Sequence, residues 1–390
     1  MKVRLTLFVA AAAVLAVLAW SDVAARLTGR EPAIAVPLLT GPGAFQMTPK
    51  EREDLYSGQL APQRATLLHE DARKTLLAEP LAPTAIWLIA ARQYNASTLP
   101  NLMLAEQVTR RELGVQMALF RTAAESGDLA KSLAYLDRGL TIHPEAAPGL
   151  LRGVVPLLAN PDVRALFIPY ARRPWFAVLL HEGTIKAEDS LATAELISEA
   201  KLKMDQLKPG LLPAVLAKLI KEGEAYEAGR LAMETGAISE AGLENFAISS
   251  ETTTAEVKPL TWQFTNSDAV SWKLKDATKV EWTLEAGRSA ILADRVTLYL
   301  PGSYQLTQSL SGTDPRLLVI WELRCIENGG ERRVWSQQVP LQSEAQRSAI
   351  NVAIPYDCPA QRWTLKGSAN DLQTSGTVAL EHIDLSAHAH

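Results

Sequence analysis

The stretch Val296-Thr-Leu-Tyr-Leu-Pro-Gly-Ser-Tyr-Gln-Leu306 decides the fold of the last third of the chain. Apolar and polar residues alternate around a Pro-Gly pair, which is typical of two β-strands joined at a turn. Similar segments, separated by Gly, Pro, Asn and Asp, recur from residue 259 to residue 385. Eight to ten such strands predict an antiparallel β-sandwich or jelly roll over 258–386, followed by a tail at 387–390.

The distribution of tryptophan separates this segment from the rest of the chain. Six of the nine tryptophans lie in it, and the long segment before it is dominated by Leu and Ala at helical spacing. Thr48-Pro49 supplies an N-cap and a first-turn proline where that helical pattern begins. We therefore predict a helical domain at 48–243 and a Ser- and Thr-rich linker at 244–257.

Short helices with brief connections are predicted along the helical domain, together with one long helix at 99–125. After the turn at Gly127, small residues follow at Ser132 and Gly139, and Pro144 ends the segment. This pattern resembles the tetratricopeptide repeat, although residues 146–205 fit it poorly. The resemblance implies a solenoid of helical hairpins that binds a protein partner, and an irregular helical bundle is the alternative.

The predicted sandwich is similar to carbohydrate-binding jelly rolls of the galactose-binding-like type. The resemblance rests on the strand-turn-strand segment at 296–306, on an apolar central strand at 317–325, and on a closing strand at 376–385. It implies a sugar-binding module. It assigns no site residues, because such folds bind their ligands through variable loops.

Sugar rings stack on aromatic side chains while nearby polar groups bond their hydroxyls, so exposed aromatics are the candidate contacts. Trp282 and Trp335 lie in polar surroundings and are predicted to be exposed, and Tyr304 opens a strand after the Pro-Gly turn. These three residues form the candidate sugar site. By contrast, Trp272 alternates with Leu274 in the manner of a core residue.

The two cysteines of the chain, Cys325 and Cys358, both lie in the predicted sandwich. Their number and their position downstream of an export signal favour a structural disulfide. Two separate buried thiols or a metal-binding pair are the alternatives. A zinc site is disfavoured because no histidine lies close to either cysteine in the sequence.

The N-terminus places Lys2 and Arg4 before an apolar run from Leu5 to Trp20. This pattern indicates that 1–25 is a secretory signal or a short membrane anchor, and cleavage and retention are equally consistent with it. A Pro- and Gly-rich spacer follows at 26–47. We therefore expect a periplasmic protein, held at the inner membrane if the N-terminal helix is retained.

No catalytic motif, metal-ligand spacing or cofactor fingerprint occurs in the sequence, so none of these is assigned. A net charge of −4 and a single short basic pair, Arg172-Arg173, disfavour a nucleic-acid protein. The sequence favours a non-catalytic scaffold that assists the assembly or export of an envelope polysaccharide or exopolysaccharide. A structural subunit whose sandwich binds protein and a divergent glycan-processing enzyme are the alternatives.

Overall fold

The computed structural model describes residues 61–78, 82–92, 99–108, 110–186, 190–249, 251–276, 278–327 and 330–387. The chain divides into two compact units, Met1–Gly149 and Leu150–His390. The predicted signal or anchor, the spacer and the last three residues of the tail lie outside the described residues. Within the described ranges, no helix has the length and apolar content needed to cross a lipid bilayer.

The first unit has five described α-helices, in which neighbours along the chain pack in pairs. They are α1 (Pro62–Ala78), α2 (Pro83–Arg92), α3 (Leu99–Val108), α4 (Leu113–Glu125) and α5 (Leu129–Ile142). The prediction of a single helix at 99–125 is wrong, because a turn at Arg110 and Arg111 separates α3 from α4. The Arg111 carbonyl lies 2.7 Å from Nε2 of His143, so it is hydrogen-bonded to a side chain that lies outside α3 and α4.

Small residues bring α4 and α5 into close contact, as predicted for a helical hairpin. Gly127 forms the turn with φ +80°. The Ser132 hydroxyl donates to the Phe120 carbonyl at 2.8 Å, which joins the two helices. A Cβ atom at Gly139 would lie 2.9 Å from the terminal methyl of Met117, so glycine lets the two helices approach without moving that side chain. The hairpin is confirmed, and the tetratricopeptide assignment stays a prediction.

The helical part of the second unit consists of short helices and 3₁₀ turns. Its α-helices are α6 (Ala147–Arg152), which crosses from the first unit, α7 (Pro161–Ala165), α8 (Pro174–Lys186), α9 (Leu191–Glu199), α10 (Leu211–Lys221), α11 (Ala225–Glu234) and α12 (Glu240–Glu244). Lys201 adopts a left-handed conformation with φ 52°, which ends α9.

Among the described residues, ten antiparallel strands form the predicted β-sandwich. They are β1 (Gln263–Phe264), β2 (Val270–Leu274), β3 (Val280–Leu284), β4 (Ser289–Thr297), β5 (Gly302–Gly312), β6 (Leu318–Glu327), β7 (Gly330–Val339), β8 (Gln346–Ile354), β9 (Gln361–Ser368) and β10 (Gly376–Ala387). The first sheet has the order β1-β4-β9-β6-β7, and the second has the order β2-β3-β10-β5-β8. Apolar side chains from both sheets meet in one buried core.

The segment after α12 packs against the sandwich. Phe246 and Ile248 are buried in the sandwich core, and Nε1 of Trp262 donates to the Phe246 carbonyl at 2.9 Å. The predicted linker at 244–257 thus contributes apolar side chains to the second unit. A separate set of hydrogen bonds from Arg295 fixes the beginning of this linker.

Arg295 lies on β4, and its side chain is fully buried. Nε donates to the Leu260 carbonyl at 2.9 Å, and Nη2 donates to the carbonyls of Gly242 and Leu243 at 3.1 Å each. Nη1 donates to the Asn245 carbonyl at 2.5 Å. Burial lowers the pKa of Arg295 to about 10, which leaves it charged at neutral pH. Arg295 therefore bonds the last carbonyls of α12 and ties the helical part to β4.

Candidate functional site

The core of the sandwich takes up most of its tryptophans. Trp262, Trp282, Trp321 and Trp363 are all buried. The prediction that Trp282 is exposed is wrong. Its polar neighbours on β3, Glu281 and Thr283, face outward, and this alternation turns Trp282 toward the core. A fully buried indole has no face on which a sugar ring can stack.

Trp335 and Tyr304, the other two predicted sugar contacts, are both half-buried. Trp335 lies on the edge strand β7 opposite Leu323, with its ring centroid 6.3 Å from that of Trp363. The Tyr304 hydroxyl donates to the Leu300 carbonyl at 2.8 Å. Each ring packs partly against the core, and a sugar-binding role for either residue stays a prediction.

An exposed apolar patch lies at the edge strands of the two sheets. It consists of Phe264 on β1 together with Trp272 and Leu274 on β2, and we call it the edge patch. Trp272 is 39 % exposed, and its ring centroid lies 5.0 Å from that of Phe264. The sequence assigned Trp272 and Leu274 to one core-facing side. They lie on that side, but β2 has a neighbour on one flank only, which leaves the ring partly open to water.

The outer face of the second sheet is polar. Strands β10, β5 and β8 run side by side there, and their inward residues, such as Leu306 and Leu310, are buried. The alternate residues face outward and form three rows across the strands. These rows, which we call the polar face, are Ser386–Gln305–Asn351, Asp384–Thr307–Ala349 and His382–Ser309–Arg347.

The polar face combines small side chains with hydrogen-bonding groups. It carries hydroxyl, amide, carboxylate, imidazole and guanidinium groups, and no Trp, Tyr or Phe side chain lies among its members. In one row, Nη2 of Arg347 lies 3.5 Å from Nε2 of His382, across the small Ser309. The Ser, Thr and Ala side chains of the polar face are short, so the polar groups beside them stay accessible to a ligand that lies along the sheet.

Paired charges border the same sheet on its other flank. The Glu281 carboxylate on β3 lies 2.5 Å from Nζ of Lys273 and 3.3 Å from Nζ of Lys275. The hydrogen bond from Lys273 lowers the pKa of Glu281 and raises the pKa of Lys273. Lys279 pairs with Glu381 in the same region. These pairs neutralise one another, so the flank adds polarity with little net charge.

Tyr356 is an exposed aromatic residue that the sequence analysis missed. It lies on the loop between β8 and β9 and is 96 % exposed. The predicted disulfide between Cys325 and Cys358 is present, and it fixes this loop to β6 with a Cα–Cα distance of 5.1 Å. Nη2 of Arg332 also bonds Asp357 at 2.8 Å. The run Pro-Tyr-Asp-Cys-Pro at 355–359 was the available signal, because such turn residues keep a ring out of the core.

A charge network covers the outer face of the first sheet. Glu322 on β6 lies at its centre and is buried, 2.8 Å from Nζ of Lys366 and 3.1 Å from Nη2 of Arg324. Arg362 joins the network through Asp294 at 2.9 Å and Glu331 at 2.7 Å. Burial opposes the ionisation of Glu322, but the hydrogen bonds from Lys366 and Arg324 outweigh it and lower its pKa.

Replacing Glu322 by Gln is expected to lower the free energy of unfolding by about 1–2 kcal/mol at neutral pH, because it removes the charge-assisted hydrogen bonds from Lys366 and Arg324. The pKa of Glu322 is lower in the folded than in the unfolded chain. The carboxylate therefore stabilises the fold above the unfolded pKa of about 4.3, and this contribution is lost as the pH falls through the folded pKa. Urea unfolding from about pH 7 to pH 3 should show wild type and Glu322→Gln converging. A constant gap would contradict this account, and the exposed Glu344→Gln is the control.

Comparisons with known proteins identify no family. No family model matches the chain, and no curated protein matches it. A carbohydrate-binding structure titled "CBM4 structure and function" is 13 % identical, with a TM-score of 0.25, over 30 % of this chain and 76 % of that one. TmCBM61 in complex with beta-1,4-galactotriose is 10 % identical, with a TM-score of 0.26, over 36 % and 99 %.

The N-terminal cellulose-binding domain of a beta-1,4-glucanase from Cellulomonas fimi is 13 % identical, with a TM-score of 0.25, over 38 % of this chain and 96 % of that one. Because these TM-scores are so low, the similarities do not establish a function. The function has to be argued from the surfaces of the sandwich.

Proposed function

We propose that this protein is an exported, non-catalytic scaffold whose β-sandwich binds a glycan. The observation that carries the proposal is the polar face, which covers the outer side of strands β10, β5 and β8. The ring of Trp272, which is 39 % exposed, lies at the β2 edge of the same sheet but on its core-facing side. The other exposed ring of the described sandwich, Tyr356, lies on a loop between the two sheets.

A polysaccharide strand offers hydroxyl groups along its length and C–H faces on its rings. The row Ser386–Gln305–Asn351 offers a hydroxyl and two amides to such hydroxyls, and Asp384 and Thr307 extend it in the next row. An aromatic ring adds a large apolar contact at little conformational cost, because it has few rotatable bonds. The polar face would bind the hydroxyls of the strand, and Trp272 would bind a ring where the strand passes round the β2 edge to the other side of the sheet.

The proposed cellular role rests on the N-terminal sequence and on the disulfide. The basic and apolar N-terminus directs the chain for export, and a buried disulfide is typical of proteins in an oxidising compartment. In the periplasm the sandwich would hold an envelope polysaccharide or exopolysaccharide, and the helical hairpins would bind a protein of its assembly or export machinery.

Replacing Trp272 by Ala is expected to weaken glycan binding at least about tenfold, which corresponds to the loss of one stacked ring. Thr307→Lys, which places a long side chain in the middle of the polar face, is expected to weaken binding similarly. The full-length chain is titrated calorimetrically with a panel of soluble polysaccharides. Tyr226→Ala is the matched control, because Tyr226 is 77 % exposed but lies on α11. A panel without any binding, or equal losses in all three variants, would refute the proposal.

The alternative is that the sandwich binds a protein. The loop between β8 and β9, which the disulfide fixes to β6 and which displays Tyr356, favours this alternative. A rigid, exposed aromatic ring is a common anchor in protein interfaces. Crosslinking and co-purification from membranes separate the two functions. A protein-binding module requires a stoichiometric protein partner whose recovery does not depend on glycan, and a glycan-binding module does not.

A further inference from the structure

The helical part of the second unit contains a pocket of about 370 Å³ between α8 and the loop before α10. Three cationic side chains line it, Arg172, Arg173 and Lys208, and all three are exposed. The floor of the pocket consists of buried apolar side chains, among them Phe176, Leu180 and Leu207. The pocket thus has a positively charged mouth above an apolar interior.

The charged residues at this mouth are all cationic. Among the described residues that line the pocket, none is Asp or Glu. The first turns of α8 and α10 also contribute lining residues, so the positive ends of two helix dipoles add to the field of the three side chains. An anion gains from this field, and an uncharged ligand does not.

We propose that this pocket binds an amphipathic anion, namely a single aliphatic chain that carries a carboxylate or a phosphate head group. Its volume lies within the range of small-molecule sites, which combine an apolar lining with a few placed polar groups. The aliphatic chain of the ligand displaces water from the apolar floor of the pocket. A guanidinium group can bind two oxygens of one carboxylate or phosphate with two parallel hydrogen bonds.

The ligand is a free amphiphile and not a bilayer surface. Insertion into a membrane requires exposed apolar side chains around the mouth, and no described residue that lines the pocket is large, apolar and exposed. The basic pair Arg172-Arg173, which is too short for nucleic acid, acquires a role here as one side of an anion clamp. Lys208 supplies the other side.

The test titrates the full-length chain by calorimetry with dodecanoate, dodecyl phosphate and dodecyl maltoside, each below its micellar concentration. We expect the two anions to bind with one-to-one stoichiometry and the uncharged maltoside to bind at least tenfold more weakly. A preference between the two anions identifies the head group. Equal binding of charged and uncharged amphiphiles, or no stoichiometric binding at all, overturns the proposal.

The double variant Arg172→Gln/Lys208→Gln is expected to weaken dodecanoate binding at least tenfold and to leave maltoside binding unchanged. Lys221→Gln is the matched control, because this exposed lysine lies at the far end of α10. Ala177→Leu fills the pocket from its wall and should weaken every amphiphile, with circular dichroism to show that the helices persist. Wild-type affinity in the double variant overturns the proposal. Trp272→Ala keeps full dodecanoate binding, so this result is independent of the glycan proposal.

Discussion

Replacing Arg295 by Met is expected to lower the free energy of unfolding of the second unit by about 3 kcal/mol. The substitution removes the donor for four carbonyls, those of Gly242, Leu243, Asn245 and Leu260. Each buried carbonyl left without a donor costs about 1–3 kcal/mol. Loss of the buried charge relieves its own desolvation penalty, so the net effect is smaller than the sum of four bonds.

Urea unfolding followed by tryptophan fluorescence measures this loss, since most of the tryptophans lie in the second unit. Arg295→Lys separates charge from geometry. A single ammonium keeps the charge but cannot reach four carbonyls, so we expect it to lose nearly as much stability as Arg295→Met. The matched control is Arg347→Met on β8, which is exposed and should change the free energy by less than about 0.5 kcal/mol. Equal effects at Arg295 and Arg347 would show that the buried contact adds no stability.

Limited proteolysis adds a local readout to the same variants. The contacts of Arg295 hold the chain between the end of α12 and β1, so their loss should expose this segment before the sandwich itself unfolds. Cleavage within 244–262 at low urea is expected for Arg295→Met and not for wild type. Cleavage at the same rate in both proteins would contradict this role.

The sequence predicted the strands of the sandwich well because alternation is a local property. The predicted closing strand at 376–385 corresponds to β10, which lies between β3 and β5 in the second sheet. Turn residues between the strands set their ends to within a few positions. The number and spacing of these segments predict an antiparallel sandwich. They do not predict the order of the strands within each sheet, because strand pairing depends on contacts between residues that are distant in the sequence.

Alternation also explains the error at Trp282. The pattern shows which residues share a face, but it does not show which face is buried. Glu281 and Thr283 give Trp282 polar neighbours in the sequence, but a buried residue also has polar neighbours on a strand with one solvated face. Trp272 shows the converse. Its neighbours fit a core position, and only the location of β2 at a sheet edge exposes it.

Other features of the candidate sites depend on contacts between distant residues, which no local pattern encodes. Arg295 lies 50 or more positions from three of its four acceptors. The pocket brings Arg172 and Arg173 together with Lys208 across two helices and a loop. The disulfide could be predicted from the sequence, because two cysteines in one predicted domain leave one pairing.

Replacing Cys325 and Cys358 together by Ala is expected to lower the free energy of unfolding by about 4 kcal/mol. The two cysteines are separated by 33 positions, and closing a loop of this length removes conformational entropy from the unfolded chain. Both residues are fully buried, so the bond also packs within the core. The expected loss is a large part of the stability of an ordinary domain.

Urea unfolding with and without a reductant provides the measurement. Reduction in the unfolded state should bring the wild type to the stability of the double Ala variant, which itself should not respond to the reductant. A wild type that keeps its stability after complete reduction would show that the cross-link is dispensable for folding. The same variant also tests the alternative function. Without the disulfide, the loop that displays Tyr356 keeps its hydrogen bonds from Arg332 and from the backbone of Ile326 but loses its covalent link to β6. A protein partner anchored on that ring should therefore bind more weakly, while binding of a glycan to the polar face should change little.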